Sequence, residues 1–270
     1  MSEGVFVREG GFYRPTQHSG GPWSPDTLHG GPVAGLLAHT LEDAEDREGF
    51  RWSRLQFDLL RPVPRAPLSA TTEVVRSGRR LQLRQASLWD EEGRLLARAH
   101  ALSVAEQTLA EEPERHPEAD ESMPSREGLP TTRLEFAGDL EPARISTGFA
   151  SMIELRRIRG IEGKGMGCAW VRIPEPVVRG VPTSPRVRAA ASSDFANGLS
   201  QRLLGTEFGF INADITVHLF REPAGEWMGI DSSSDVDAKG LGWVSAKLFD
   251  DRGRLGSIHQ CLLVAPRYTG

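Results

Sequence analysis

The chain has 270 residues, of which 39% are hydrophobic and 26% charged, and its net charge is −5. That composition is ordinary for a folded globular protein; the acidic balance offers no basic surface to nucleic acid or anionic membrane, and no apolar run approaches the roughly 20 residues of a membrane span. Cys168 and Cys261 lie far apart and outside any Cys-x-x-Cys motif, so neither a disulfide framework nor a zinc site is expected, and a reduced, cytoplasmic setting is.

Residues 1–28 contain Phe12, Tyr13, Pro22, Trp23 and Pro25 among several glycines, and predict a short strand followed by a loop. The opening residues Met1–Glu9 lack the apolar core of a signal peptide. His29-Gly-Gly-Pro then opens a segment in which Val33, Leu36, Leu37 and Leu41 recur at helical spacing. Pro32 suits a first helical turn, and the side chains from Pro32 to Leu41 are almost all apolar or small, so a buried helix over 32–46 is expected. Strand-like runs follow at 55–60, 70–76, 81–89 and 95–104. Residues 106–142 are acidic and carry several prolines; they are too polar for a core and read as an exposed crossing segment. Strand signals resume at 153–158 and 167–173, and a Pro-rich loop leads to a helix over 186–204. Four more strands are expected at 211–220, 227–232, 241–249 and 255–264.

The two sets of strands repeat. A shift of 160 residues lays Trp89-Asp-Glu-Glu-Gly-Arg-Leu95 on Phe249-Asp-Asp-Arg-Gly-Arg-Leu255, and Leu55, Phe57 and Leu59 on Ile215, Val217 and Leu219. In the same ungapped register Leu102 and Val104 fall on Leu262 and Val264, and His100 falls on Gln260. Each half therefore reads as one long helix followed by four antiparallel strands. The expected fold is α+β, a double hotdog: two units, each an antiparallel sheet wrapped around a central helix. An N-terminal unit spans 1–105, a linker 106–142 and a C-terminal unit 143–270.

Three places could carry chemistry. Asp194 has Ala190 one turn before it and Gly198 one turn after, which leaves space beside its carboxylate; an exposed helix acid is the plain alternative. Gln260 shares a strand face with Ile258, Leu262 and Val264, a polar residue among apolar ones that is either a water-orienting amide or a core Gln bonded to backbone. The His29-Gly30-Gly31 helix start presents free N–H groups, aided by the helix dipole, where glycines permit close approach. It is an oxyanion site or a tightly packed turn. His29 reads as a cap or support there rather than as a base. No His-x-x-x-His, phosphate-binding loop or Gly-x-Ser-x-Gly occurs, so no metal, nucleotide cofactor or serine nucleophile is expected.

His29-Gly-Gly-Pro32, Phe210-Ile-Asn-Ala-Asp-Ile-Thr-Val-His-Leu-Phe-Arg221, Gly225-Glu-Trp227 and Phe249-Asp-Asp-Arg-Gly-Arg-Leu255 resemble the double-hotdog acyl-CoA thioesterases related to the bacterial type II enzymes. The resemblance spans nearly the whole chain. It implies hydrolysis of an acyl-CoA, with coenzyme A entering only as part of the substrate, a role in lipid metabolism, and room for homo-oligomers of such chains. In that family an Asp, a Thr and a Gln activate water. The Asp matches Asp194 and the Gln matches Gln260, whereas registering the strand on Arg221 puts Asn212 where the family has Thr. Asn supplies an amide but no hydroxyl. Asp214 and Thr216, expected on the same strand face as Asn212, are reserve candidates. The His-Gly-Gly also resembles that of single-domain hotdog thioesterases, which implies that an N–H of Gly30 or Gly31 would face Asp194 across the two halves. The first helix has no acid before Glu42, so one working site is expected rather than two. Arg61, Arg65, Arg79, Arg80 and Arg84 are candidates to meet the phosphates of coenzyme A, with a solvated surface as the plain alternative for most of them.

Two other readings stay open. A hotdog hydratase would want a His paired with a carboxylate, but no His here begins His-x-x-x-Gly-x-x-x-x-Pro. A non-catalytic acyl-binding protein on the same fold is made credible by the Asn at the Thr position.

Overall fold

The computed structural model describes residues 2–22, 24–45, 47–111, 114, 116–117, 121–132, 148–160, 163–202 and 208–266. Two short strands, β1 (Phe6–Glu9) and β2 (Phe12–Pro15), form a hairpin ahead of helix α1 (Gly30–Asp43). Strands β3 (Phe50–Leu59), β4 (Ser69–Ser77), β5 (Leu81–Trp89) and β6 (Leu95–Ala105) complete the first half. The second half holds α2 (Phe149–Met152), β7 (Glu154–Gly160), β8 (Met166–Arg172), α3 (Pro185–Ser193) and α4 (Phe195–Leu199). It closes with β9 (Phe208–Asn212), β10 (Asp214–Leu219), β11 (Trp227–Val236), β12 (Leu241–Asp250) and β13 (Gly253–Pro266).

One antiparallel sheet runs through both halves in the order β4-β5-β6-β3-β10-β13-β12-β11-β8-β7, with β9 also paired to β13. Its concave side takes both helical segments, which pack on each other as well as on their own strands. This is the double-hotdog arrangement, and the seam between halves is the β3–β10 pair. Across that seam Gln56 faces Thr216, Asp58 faces Asp214 and Arg54 faces His218. The 160-residue shift carries Gln56 onto Thr216, Asp58 onto His218 and Arg54 onto Asp214. The duplication thus reappears as a local two-fold axis through the Gln56–Thr216 pair.

The repeat is not ungapped throughout. Gln56 pairs with His100, whereas Thr216 pairs with His259, so along β6 and β13 the equivalence shortens to 159 residues. The cause is the preceding turn. Asp90 closes on Arg94 through its backbone N–H, while Asp250 pairs directly with Gly253, which leaves the first turn one residue longer. Gln260 is therefore equivalent to Ala101, and the expected match of His100 to Gln260 is corrected: His100 lies on the outer face beside Gln56, and Ala101 is buried.

A second irregularity is shared by both halves. The ladder slips between Trp52 and Arg54 in β3, and at the corresponding place Ala213 separates β9 from β10. Such a bulge reverses which residues face inward. Asn212 pairs with the buried Leu262, but Thr216 pairs with the exposed His259. Asp214 and Thr216 thus leave the face that Asn212 occupies, and neither reaches the interior.

Helix α1 is buried from Gly31 to Ala38 and again at Leu41, as its run of apolar side chains demands. It begins two residues earlier and ends three earlier than its periodicity suggested. The second helical segment breaks at Asp194. There the Ser193 hydroxyl bonds the Ala190 carbonyl at 2.7 Å, and the Ser193 carbonyl accepts from the Gln260 amide at 3.0 Å, which diverts both from the helical ladder. Helices α1 and α3 approach closely at Gly35: a Cβ there would lie 3.0 Å from Ala191 Cβ and 3.2 Å from a Val177 methyl. Gly35→Leu should accordingly overpack this contact and cost about 1–3 kcal/mol, visible as a lower urea midpoint at unchanged slope.

Residues 121–132 of the expected linker run over the outer face of the second half without a core of their own. Glu121 accepts from Lys247 at 2.8 Å, the Trp170 indole donates to the Pro124 carbonyl at 2.9 Å, and Arg126 sits over the rings of both Trp170 and Trp227. Residues 107–111 are exposed and carry no such anchors. Limited proteolysis should therefore cut near Leu109, which is 61% exposed, before it cuts within 121–132; early cuts inside α1 or α3 would contradict this packing. Among the described residues no helix is long and apolar enough to cross a membrane.

Candidate active site

The site is built where the start of α1 meets the α3–α4 break. His29 occupies the N-cap position of α1 and packs against the rings of both Phe149 and Phe195, with centroids 5.4 and 5.3 Å away. Those two rings stack on each other at 5.5 Å. Behind the cap, glycine is required by proximity. A Cβ on Gly30 would fall 2.7 Å from an Asp194 carboxylate oxygen, and one on Gly31 would fall 2.5 Å from the Phe149 ring.

Asp194 is only 8% exposed. Its Oδ2 lies 2.7 Å from His29 Nδ1, and its Oδ1 accepts from Asn212 Nδ2 at 2.6 Å. His29 Nδ1 is also 3.1 Å from the Gly31 backbone nitrogen, and one tautomer cannot serve both contacts. An unprotonated Nδ1 would accept from Gly31 but would turn its lone pair on a carboxylate. The carboxylate decides the matter: Nδ1 carries the proton and donates to Asp194, and the Gly31 N–H is directed to Asp194 as well. Burial pushes the Asp194 carboxyl upward, yet the His29 charge and hydrogen bond, the Asn212 amide and the Gly31 N–H together hold it below the ordinary carboxylate range. A carboxylate has roughly four acceptor positions. Three are filled by these donors, so one remains for a water.

The sequence candidates converge unequally. Asp194, Asn212, His29, Gly30 and Gly31 form one contact group. Gln260 stands beside it rather than in it, donating to the Ser193 carbonyl, with its buried Oε1 lacking a hydrogen-bond partner among the described residues. The Gly30 N–H has no partner among the described residues, whereas that of Gly31 is taken up by Asp194. Asp214 accepts from the Cys261 backbone on the outer face, and Thr216 lies in the same outer row. Of the arginines, Arg84 is buried, and Arg61 and Arg65 bond backbone carbonyls of Leu95 and Pro25.

Sequence reasoning missed Asn197, whose Nδ2 donates to Asn212 Oδ1 at 2.9 Å. It lies three residues beyond Asp194, one turn on, and the emphasis on the open Gly198 passed over it. Phe149 and Phe195 were missed too, since isolated phenylalanines carry no spacing signal. Cavities of about 270 Å³ under Met123 and Arg126 and about 490 Å³ beside Trp52 and Phe220 lie elsewhere, with no site residue in their walls. Among the described residues no cluster of His, Cys, Asp or Glu is suited to a metal ion.

The electrostatics make a direct test. In a carboxyl-detected NMR titration of the intact chain, Asp194 should titrate below the ordinary Asp value of about 3.9. His29→Ala removes the principal stabiliser of the charged form and leaves burial in place, so Asp194 should then titrate at higher pH. A downward or absent shift would show that His29 does not donate to it.

Comparison with known proteins agrees with this architecture. Residues 19–104 match the acyl-CoA thioesterase N-terminal domain model and residues 113–264 the acyl-CoA thioesterase C-terminal domain model. No curated protein sequence matches the chain. Among solved structures, a candidate thioesterase II from Thermobifida fusca YX shares 18% identity, with 98% of each chain covered and a TM-score of 0.70. A conserved protein with a hot dog fold from Alicyclobacillus acidocaldarius shares 14%, covering 96% of this chain and 95% of that one at a TM-score of 0.68. The acyl-CoA thioesterase II TesB2 of Mycobacterium marinum shares 18%, covering 100% and 96% at 0.62. At such identities these structures speak for the fold, while the two matched domain models account for most of the chain. The chain belongs to the acyl-CoA thioesterase family, in its double-hotdog form.

Proposed function

We propose that the chain hydrolyses an acyl-CoA thioester by attack of a water molecule activated by Asp194. The observation that carries this reading is a buried, ionised carboxylate from one half held against the Gly-Gly helix start of the other. Asp194 takes a proton from water as the water oxygen bonds to the thioester carbonyl carbon. The resulting oxyanion is met by the free N–H of Gly30 at the positive end of α1. Collapse breaks the carbon–sulfur bond, and the proton on Asp194 passes to the departing sulfur, giving the free acid and coenzyme A with the carboxylate restored.

The supporting residues take somewhat different parts from those the family resemblance implied. Asn212 donates to the base and so orients the carboxylate rather than the water. Gln260, anchored through Nε2, offers Oε1 as an acceptor for the second proton of the water. His29 orients and charges the base from its other side.

Asp194→Asn should lower kcat for a responsive acyl-CoA by about 10²–10⁴-fold with little change in KM, the usual cost of losing a positioned general base. Gln260→Ala should cost less, and His29→Ala less than Asp194→Asn. Asn212→Thr restores the family's residue and should be tolerated. A screen across short, long, branched and aromatic acyl-CoAs identifies the substrate. Unchanged hydrolysis in Asp194→Asn would move the base elsewhere. Binding of several acyl-CoAs without hydrolysis would replace this reading with an acyl-binding one.

A further inference from the structure

Asn212 raises a problem that the family's Thr does not. A hydroxyl rotates freely to donate to a carboxylate, but a side-chain amide has a donor end and an acceptor end. If it turns over, it presents oxygen to Asp194 and repels it. Something must therefore fix which end faces the base.

The structure assigns that task to Asn197: we propose that it is a positioning residue that acts on Asp194 only through Asn212. The polarity of the chain follows from its charged end. Asp194 is an acceptor only, so Asn212 must turn Nδ2 toward it, and does so at 2.6 Å. Asn212 Oδ1 then faces α4 and needs a donor, and Asn197 Nδ2 supplies one at 2.9 Å. Asn197 is 7% exposed and lies in the short helix that begins immediately after Asp194, so its amide reaches Asn212 from the buried side. Among the described residues its own Oδ1 is buried without a partner, so the contact this side chain makes to Asn212 is through its donor end. Asn at 197 and Asn at 212 are thus a matched pair: the departure from Thr on β9 is accommodated by an amide one helical turn from the base.

This inference rests on the thioesterase reading for its kinetic test but has a second readout that does not. The full-length chain, Asn197→Leu, Asn212→Thr and the double variant form a cycle. Leu matches Asn in size without adding charge; Asn197→Ala replaces it if the Leu variant does not fold. In the native background Asn197→Leu should lower kcat on the order of tenfold to a hundredfold, the scale of a misplaced catalytic group, with KM nearly unchanged. In the Asn212→Thr background the same substitution should change kcat by less than about twofold. Equal losses in both backgrounds would reduce Asn197 to a packing residue and overturn the proposal. Carboxyl NMR decides the same question if no acyl-CoA is hydrolysed at all. The Asp194 titration should move to higher pH on Asn197→Leu alone and stay in place when Asn212→Thr is already present. A shift of equal size in both, or in neither, would sink the relay regardless of activity.

Discussion

A carboxylate buried between two halves of one chain is the constraint from which the rest of this structure follows. Removing an ionised Asp from water costs several kcal/mol unless donors replace the solvent. Asp194 collects its donors from three separate places: a helix cap in the first half, a backbone N–H behind it, and a strand end in the second half. None of these is local in sequence. Pulling the halves apart would leave the charge uncompensated, so the contacts that hold the Asp194 carboxylate also fasten the α1 start to the α3 end. The glycines at 30 and 31 belong to that constraint, since a side chain at either would occupy the space of the carboxylate or of the ring packed behind it.

The duplication, the two helices and nearly every strand were legible in the sequence, and Asp194 could be singled out there. Periodicity and a repeated turn are properties of the chain itself, and a carboxylate flanked by Ala190 and Gly198 stands out among helix residues. What could not be read depends on events that sequence spacing does not record. One extra residue in the Asp90–Arg94 turn changes which residue of β6 answers to Gln260, and the bulge at Ala213 turns Asp214 and Thr216 outward. Both look like unbroken alternation until the hydrogen-bond ladder is known. Asn197 was hidden for another reason. Its importance lies in the amide it touches across the fold, and a side-chain contact between a helix and a distant strand leaves no periodic trace.

The aromatic packing around His29 has a role beyond filling space. Phe149 and Phe195 stack on each other and both pack against the imidazole, which limits its rotation and keeps Nδ1 turned to Asp194. Their apolar faces also exclude water from the His29–Asp194 contact, and a hydrogen bond to a carboxylate is electrostatically stronger in such surroundings than in solvent. Phe149 comes from the four-residue helix α2 and Phe195 from the turn directly after the base. The cage is therefore assembled from short pieces on either side of the acid, rather than from one rigid element.

The two-fold relation has a last consequence. Trp52, paired with Ser103, stands where Asn212, paired with Leu262, stands in the other half, and Ala101 answers to Gln260. In an assembly of two identical chains every substitution is made twice, so an acid or amide cannot be surrendered in one copy and kept in the other. Fusion removes that rule. Here the first half carries a buried indole and a methyl group at the positions equivalent to Asn212 and Gln260, while its helix start faces its neighbour. One half supplies the glycine helix start, the other the acid and the amides, a division of labour that two identical chains encoded by one gene could not make.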